Sequence, residues 1–439
     1  MSPNRVHIAV IGAGAAGMMA AAEAARRVVP FGGRVTILEK NGKTGVKILM
    51  SGGTRCNITH DTDARGITTA FGPGRRFLQP SVGSFPPHRV IEMFHGAGVA
   101  TKREETGKFF PISNRAVDVR DALHEQMIEA GAELHLRTAV QSVEPTRSAQ
   151  GRDGAWRIQT ERGNQLESML ADRVIVTAGG QSWPGCGTTG DAYTWLARLG
   201  HTIVTPRPAL VPLVGGNTLT QSLSGLTLPD VEATARLKPD ADTKPVSLSR
   251  RSSLLMTHFG FSGPAAMDVS GIMTSARNMD RAELRLDLVP NLRESKLRDE
   301  LDRNGAASRR PIRSILSQWL PSRLSRGIAN ECPASTPAEL SGKALHALIE
   351  HLKHWHVPVT STKGFAKAEV TAGGVALSEV DPKTMASRLQ RGLFIAGEVL
   401  DVDGWIGGYN FQAAFSTGRA AAIAAASTTA DSDPPGPTF

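Results

Sequence analysis

Val6-His7-Ile8-Ala9-Val10-Ile11-Gly12-Ala13-Gly14-Ala15-Ala16-Gly17 is the stretch on which the fold turns. Residues 6–11 are apolar and rich in β-branched side chains, the composition of a buried strand. Met18 to Arg27 is alanine-rich and reads as helix. The glycines therefore lie between a strand and a helix, which is the context that gives G-x-G-x-x-G its meaning. Gly12 permits the tight turn, Gly14 lets backbone approach a pyrophosphate, and Gly17 lets the helix pack on the strand. The N–H groups at the helix N-terminus then face the phosphates. A second strand, Arg34 to Glu39, ends in a carboxylate about 20 residues past the last glycine, where a Rossmann unit places its ribose acceptor. A secretory leader is not expected, because the glycines fall inside the would-be apolar core and Glu23 interrupts its end.

A chain of 439 residues has room for two or three domains. No apolar run is long enough to span a bilayer. Cys56, Cys186 and Cys332 are too widely spaced for a disulfide framework or a zinc site. A cytoplasmic protein is expected, without a metal. The net charge of +9 is concentrated between Arg293 and Arg326, including Arg309, Arg310 and Arg313. Without an interleaved aromatic platform, this run reads as a solvated helical face and nucleic acid is disfavoured.

Outward from the first unit, Lys47 to Asn57 is a glycine-bearing loop whose small residues let a planar ligand lie on backbone. Arg55 and Asn57 offer hydrogen bonds there. Cys56 is a candidate nucleophile or a small packed residue. Residues 61–85 read as irregular and mobile, and 98–111 as a strand-poor connection. A helix is expected from Ala116 to Gly131, a strand over Ala132–Val143, and another over Trp156–Thr160. Arg173 to Gly180 reads as a second parallel strand ending in glycines. Gly185-Cys186-Gly187-Thr188-Thr189-Gly190 repeats the glycine pattern literally, but Trp183-Pro184 separates it from the strand, so a second nucleotide site is not expected.

From Thr202 the texture becomes β-rich, then helical from Leu292 to Trp355 with breaks at Pro311, Pro321 and Pro333. His351, His354 and His356 cluster there without a companion acid, which argues against a metal. A last strand, Gly392 to Gly397, leads through Glu398, Asp401 and a glycine loop into a helix near Asn410. The chain thus leaves the nucleotide-binding sheet after about 195 and returns near 365. That arrangement favours FAD over NAD: Glu398 or Asp401 accepts ribityl hydroxyls, and the helix near Asn410 faces the flavin, where its dipole is worth ~1 kcal/mol.

The segments KILMSGGTRCN, FFPISNRAVDV, VIVTAGGQSWP, PALVPL, THFGFSGPA, VTAGGV and GLFIAGEVLDVDGWIGGYNFQAAFSTG resemble the successive motifs of the BaiN/YhiN-like family of NAD(P)/FAD-dependent oxidoreductases, also called aminoacetone-oxidase-like flavoproteins. The resemblance runs from about residue 5 to 425. It implies an α/β fold: a discontinuous glutathione-reductase-type Rossmann FAD-binding domain with an inserted β-barrel plus helical module. The expected divisions are 1–195 and 365–427 for the FAD domain, 196–290 β-rich, 291–364 helical, and 428–439 a disordered tail. The resemblance places FAD contacts at Ala16, Glu39, Val140, Glu398, Asn410 and Phe411, besides the glycines. The expected cofactor set is completed by Gly12, Gly14, Ala15, Gly17, Lys40, Lys47, Ser51, Arg55, Asn57, Ala178, Gly179, Gly397, Asp401 and Gly408. Arg55, Cys56, His258 and Tyr409 are the catalytic candidates. The sequence departs from the family at Thr54, usually glycine, and at Trp183 and Gly185-Cys186-Gly187. The expected activity is reduction of FAD by NADPH or NADH and its reoxidation by an unsaturated or carbonyl-conjugated small molecule. An amine oxidase using oxygen and a flavin-binding RNA-associated protein are the alternatives.

Overall fold

Apolar runs such as Ile8 to Ile11 suit strands buried on both faces, as parallel sheets are. A computed structural model describes residues 6–147, 153–238, 245–276, 279–302, 304–305 and 308–427; the expected tail, 428–439, lies outside them. The chain divides into two units, one formed up to Pro206 and from Glu369 onward, the other by Arg207–Ala368.

The first unit is built on a five-stranded sheet in the spatial order Leu393–Ile395, Arg173–Val176, His7–Ile11, Arg34–Glu39, Glu133–Leu136. All four pairings are parallel. The chain order reverses between His7–Ile11 and Arg173–Val176, and the C-terminal edge at such a reversal is where open α/β sheets bind ligands. The helix Ala15–Val28 follows the first strand, and its alanines at 20, 21, 24 and 25 are completely buried. Their small size admits the closing helix Tyr409–Ala426, and a side chain at Gly418 would collide with the Ala16 carbonyl.

The strand expected over 132–143 is two strands. Arg137, at φ 55°, turns the chain out of the parallel sheet and into Ala139–Arg147. That strand joins Asp153–Arg162 and Gln165–Ala171 in a three-stranded antiparallel sheet. Residues 61–85, expected irregular, contain helices Ala64–Thr69 and Arg75–Ser84. Asp63 caps the first through a 2.7 Å bond from the Gly66 N–H. Gly72-Pro73-Gly74 and Pro80 mask these helices in the sequence. Residues 98–111, expected strand-poor, contribute Thr101–Arg103 and Lys108–Pro111 to a small antiparallel sheet.

The second unit holds a seven-stranded sheet in the order Trp355–Val357, Ala282–Asp287, Thr227–Leu237, Val246–Thr257, Gly260–Ser262, Leu213–Gly215, Val359–Thr362. Its core joins sheet residues such as Leu254 and Leu284 to Leu324, Ile349 and Leu352 from the helices. Pro311 and Pro321, expected as breaks, are the caps that start Ile312–Leu316 and Ser322–Glu331. A proline there sacrifices no intrahelical bond. One member of the histidine cluster, His354, does have companion acids, contrary to expectation. Glu294 accepts from His354 Nε2 at 3.2 Å, and Glu350 lies within 4.8 Å of both. Glu294 comes from a separate helix, Glu294–Glu300, so proximity in sequence did not reveal it.

Candidate functional site

At the end of the first strand Gly12 adopts φ +97°, and a Cβ there would lie 2.8 Å from the Thr177 carbonyl. A Cβ on Gly17 would overlap the Gly12 carbonyl. At Gly14, by contrast, a Cβ would meet nothing within 4 Å, so this glycine opens onto free space at the N-terminus of Ala15–Val28. No acid occupies that helix's first turn. The arrangement is an anion cradle of backbone N–H groups with a positive dipole end. Glu39 is buried at the end of the neighbouring strand and accepts from Ala13 N–H and Asn41 N–H, both at 2.8 Å. The Thr138 N–H donates to the Glu39 carbonyl, bringing Val140 to the same edge.

Ala178 and Gly179 follow the strand Arg173–Val176 next to this turn, and Gly397 leaves Leu393–Ile395 so close that a Cβ would meet Ala16 Cβ at 2.9 Å. Glu398 follows. Its Oε2 pairs with Lys47 Nζ at 2.7 Å. Its Oε1 accepts from Ser182 Oγ at 2.7 Å and Thr371 N–H at 2.9 Å. Lys47 also donates to Ser182 Oγ. This network ties the short helix Val46–Met50 to the return segment. Ser182 and Thr371 had no assigned role in the sequence, although both lie within the quoted motifs. Asp401 accepts from Gly373 N–H at 2.9 Å. Glu369 lies near Lys47 and Glu398; burial pushes its carboxyl above the usual range.

The loop after Ser51, whose Oγ donates to the Ile48 carbonyl, is strained. Gly52, Gly53, Thr54 and Cys56 all have φ between 55° and 68°. For Thr54, a β-branched residue, such a conformation costs about 1–2 kcal/mol, which is the physical reason glycine suits this position. Arg55 Nη1 pairs with Glu104 at 2.7 Å and its guanidinium lies 4.0 Å from the Phe110 ring centroid. Glu104 and Phe110 were missed, because their approach to Arg55 depends on the small sheet. Asn57 is buried and its Oδ1 has no partner among the described residues. A buried acceptor in that state fits a ligand donor.

The remaining candidates are placed as follows. Cys56 is completely buried, and its thiol is pushed up to about 12 by loss of solvent, so it is a packed neutral side chain and no nucleophile. Lys40 is engaged by Asp191 at 2.5 Å and Thr189 at 2.6 Å. Tyr409 is buried, stacked on His60 with centroids 4.7 Å apart, which gives its ring a packing role. The Asn410 side chain closes its own loop, accepting from Gly404 N–H at 2.8 Å and donating to the Gly404 carbonyl at 2.9 Å. Phe411 is half-buried and stacks on Phe415. Gly408, at φ +92°, is the cap of the closing helix and touches the Thr59 backbone. His258 belongs to the second unit, exposed at the turn between Val246–Thr257 and Gly260–Ser262.

The parallel sheet with its glycine cradle defines a Rossmann-type nucleotide-binding protein of the flavoprotein class. The family model described as HI0933-like protein Rossmann domain matches residues 6–424, and the chain belongs to that family of FAD-dependent oxidoreductases. It is 31% identical over 428 residues to a ribosomal RNA dihydrouridine synthase of Haemophilus influenzae, covering 94% of this chain and 97% of that one. It is 30% identical to the 3-dehydro-bile acid delta(4,6)-reductase of Clostridium scindens, covering 95% of this chain and 98% of the relative. Among solved structures, 3-ketosteroid delta1-dehydrogenase from Sterolibacterium denitrificans aligns over 97% of this chain and 100% of its own at 13% identity and TM-score 0.52, a likeness of fold. Among the described residues no helix is long and apolar enough to cross a membrane.

Proposed function

We propose that the protein uses NAD(P)H to saturate a carbon–carbon double bond conjugated to a carbonyl. Bound FAD would supply the two-electron transfer; the chain supplies binding, orientation and electrostatics. The observation that carries the reading is the convergence of the Gly12–Gly14 cradle, Glu39 and the Lys47–Glu398 network on one edge of the parallel sheet. In this reading the helix N-terminus with Gly12, Gly14, Ala15, Ala16 and Gly17 holds the pyrophosphate. Glu39 and Val140 flank the adenosine end, and Glu398 and Asp401 accept ribityl hydroxyls. The orphan Asn57 Oδ1 accepts from the ring system. Arg55, oriented by Glu104 and Phe110, donates an N–H to the substrate carbonyl and draws electron density from the distal carbon. Overall, one hydride equivalent goes to the carbon β to the carbonyl, water supplies a proton to the α carbon, and NAD(P)H leaves as NAD(P)+.

The names of the two relatives support this class, since each describes saturation of a conjugated double bond. The seven-stranded sheet is read as the inserted barrel, with the following helices as its helical module, in a cytoplasmic enzyme. A small molecule is one substrate class; a uracil ring in RNA is a second, because its C5=C6 bond is itself conjugated to a carbonyl. Charge favours the second. Residues 207–368 hold 22 Lys and Arg against 15 Asp and Glu, whereas the remainder hold 28 against 26.

The test is an anaerobic absorbance titration of the purified protein with NADPH and then NADH. Bleaching of a bound flavin spectrum within seconds, with recovery on adding an enone or a uridine-containing RNA, is the expected result. A flavin that stays oxidised with both nucleotides, yet bleaches with amines, would replace the reductase by an oxidase. Arg55→Ala should keep its FAD and slow reoxidation by substrate about 10- to 100-fold, the loss of one charged hydrogen bond.

A further inference from the structure

We propose that the exposed arginines between Arg309 and Arg326 form the face of the second unit that grips an RNA phosphate backbone; this rests on the uracil version of the reading above. From residue 303 to 330 the chain carries six arginines and no acid. Of these, Arg309, Arg310, Arg313, Arg323 and Arg326 are described, and all five are exposed. Several cations elsewhere in the unit are matched, among them Arg251 with Asp230, Lys296 with Glu300 and Lys353 with Asp287. Among the described residues Arg309, Arg310, Arg313 and Arg326 have no acidic partner.

The charges are held on a fixed surface. Ile312, Ile315, Leu316, Leu324 and Ile328 bury the inner sides of Ile312–Leu316 and Ser322–Glu331, which leaves Arg313, Arg323 and Arg326 outward, and Arg309 and Arg310 are exposed in the turn before the first of these helices. Arg323 Nη2 donates to the Ser222 carbonyl at 2.8 Å, tying the second helix down beside them. Guanidinium groups match phosphate bidentately, and clustered positive charge of this kind is the footprint of nucleic-acid binding. Trp319, the aromatic residue within the run, is half-buried against the core. Recognition would therefore rest on backbone phosphates and be largely independent of sequence. None of the large exposed apolar side chains lies in this run, so the face lacks what inserts into a lipid surface.

The test uses the full-length, flavin-loaded protein and a fluorescent single-stranded RNA about 20 nucleotides long, with binding read by anisotropy across ~50–200 mM salt. Five phosphate contacts predict that wild-type affinity falls about 100-fold over that range. The combined variant Arg309→Gln, Arg310→Gln, Arg313→Gln, Arg326→Gln should retain flavin content and Tm, bind far more weakly, and change only about threefold with salt. Lysine at the same four positions should preserve the steep salt dependence. Equal affinity and slope in the glutamine variant and wild type would overturn the proposal. So would absence of RNA binding at low salt, or loss of binding to phosphatidylserine vesicles with RNA binding intact. Because no turnover is measured, this outcome is independent of whether NADPH bleaches the flavin.

Discussion

Two stretches of this chain spell the same glycine pattern, Gly12 to Gly17 and Gly185 to Gly190, and they are put to different uses. The first leaves a strand directly and opens at Gly14 onto free space before a helix whose first turn has no acid. The second follows Trp183 at φ 53° and begins inside a single helical turn, Pro184–Cys186. Its helix, Asp191–Arg198, begins with its own carboxylate, and Lys40 is already paired with it. Gly187 packs on Asn41. A helix N-terminus left uncharged and open suits an anionic ligand, whereas one filled by an aspartate is paired within the chain. The spacing of glycines does not distinguish the two; the first helical residue, Ala15 in one and Asp191 in the other, does.

The largest test of this contrast substitutes an open glycine in each copy. Gly14→Val should fold normally and weaken FAD binding at least about 100-fold, ~2.7 kcal/mol, by filling the cradle. Gly185→Val, also facing open space, should leave flavin content unchanged. Equal flavin in both purified variants would break the comparison. A smaller effect is expected where the first unit is cross-tied. Lys47→Met leaves the half-buried Glu398 without its cation and should cost about 2 kcal/mol in denaturant unfolding, while Lys47→Arg should recover most of it.

The smallest effect lies in the second copy. Asp191→Asn removes an exposed ion pair and should cost about 0.5 kcal/mol at neutral pH. Burial raises the Asp191 pKa, but hydrogen bonds from Lys40 and Thr189 outweigh it and hold the carboxyl below its ordinary 3.8. Its stabilisation is therefore complete above that value and is lost as pH falls through the depressed folded value. Tm measured against pH should show wild type and Asp191→Asn converging in acid.

The first βαβ unit was legible because every signal in it is local: strand, glycines, helix and Glu39 lie within about 35 residues of sequence. Glu398 was legible as an acid after a strand, but its grip on Lys47 spans 351 positions and no periodicity reports it. Cys56 next to Arg55 suggested reactivity; burial, a property of the whole fold, removed it. Asn410 was rightly placed at the start of the closing helix, yet its side chain serves the loop before it. The helices over 64–84 were hidden by glycine and proline; Arg75–Ser84 packs on the closing helix, with Gln412 Nε2 donating to the Phe85 carbonyl at its end, and Ala64–Thr69 packs on Arg75–Ser84 in turn.

The edge strand Leu393–Ile395 and the closing helix have a consequence for synthesis. Arg173–Val176 is made early, but the partner on its outer side is added only after the 162-residue insertion 207–368 has been translated. At ~5–20 residues per second the nascent first unit waits about 10–40 s with an unpaired parallel edge exposed. The second unit, contiguous in sequence, emerges whole in that interval. On the ribosome the inserted unit is therefore completed before the unit that flanks it, and a truncation between residues 369 and 392 leaves a chain with a finished insert and an open, aggregation-prone nucleotide-binding sheet.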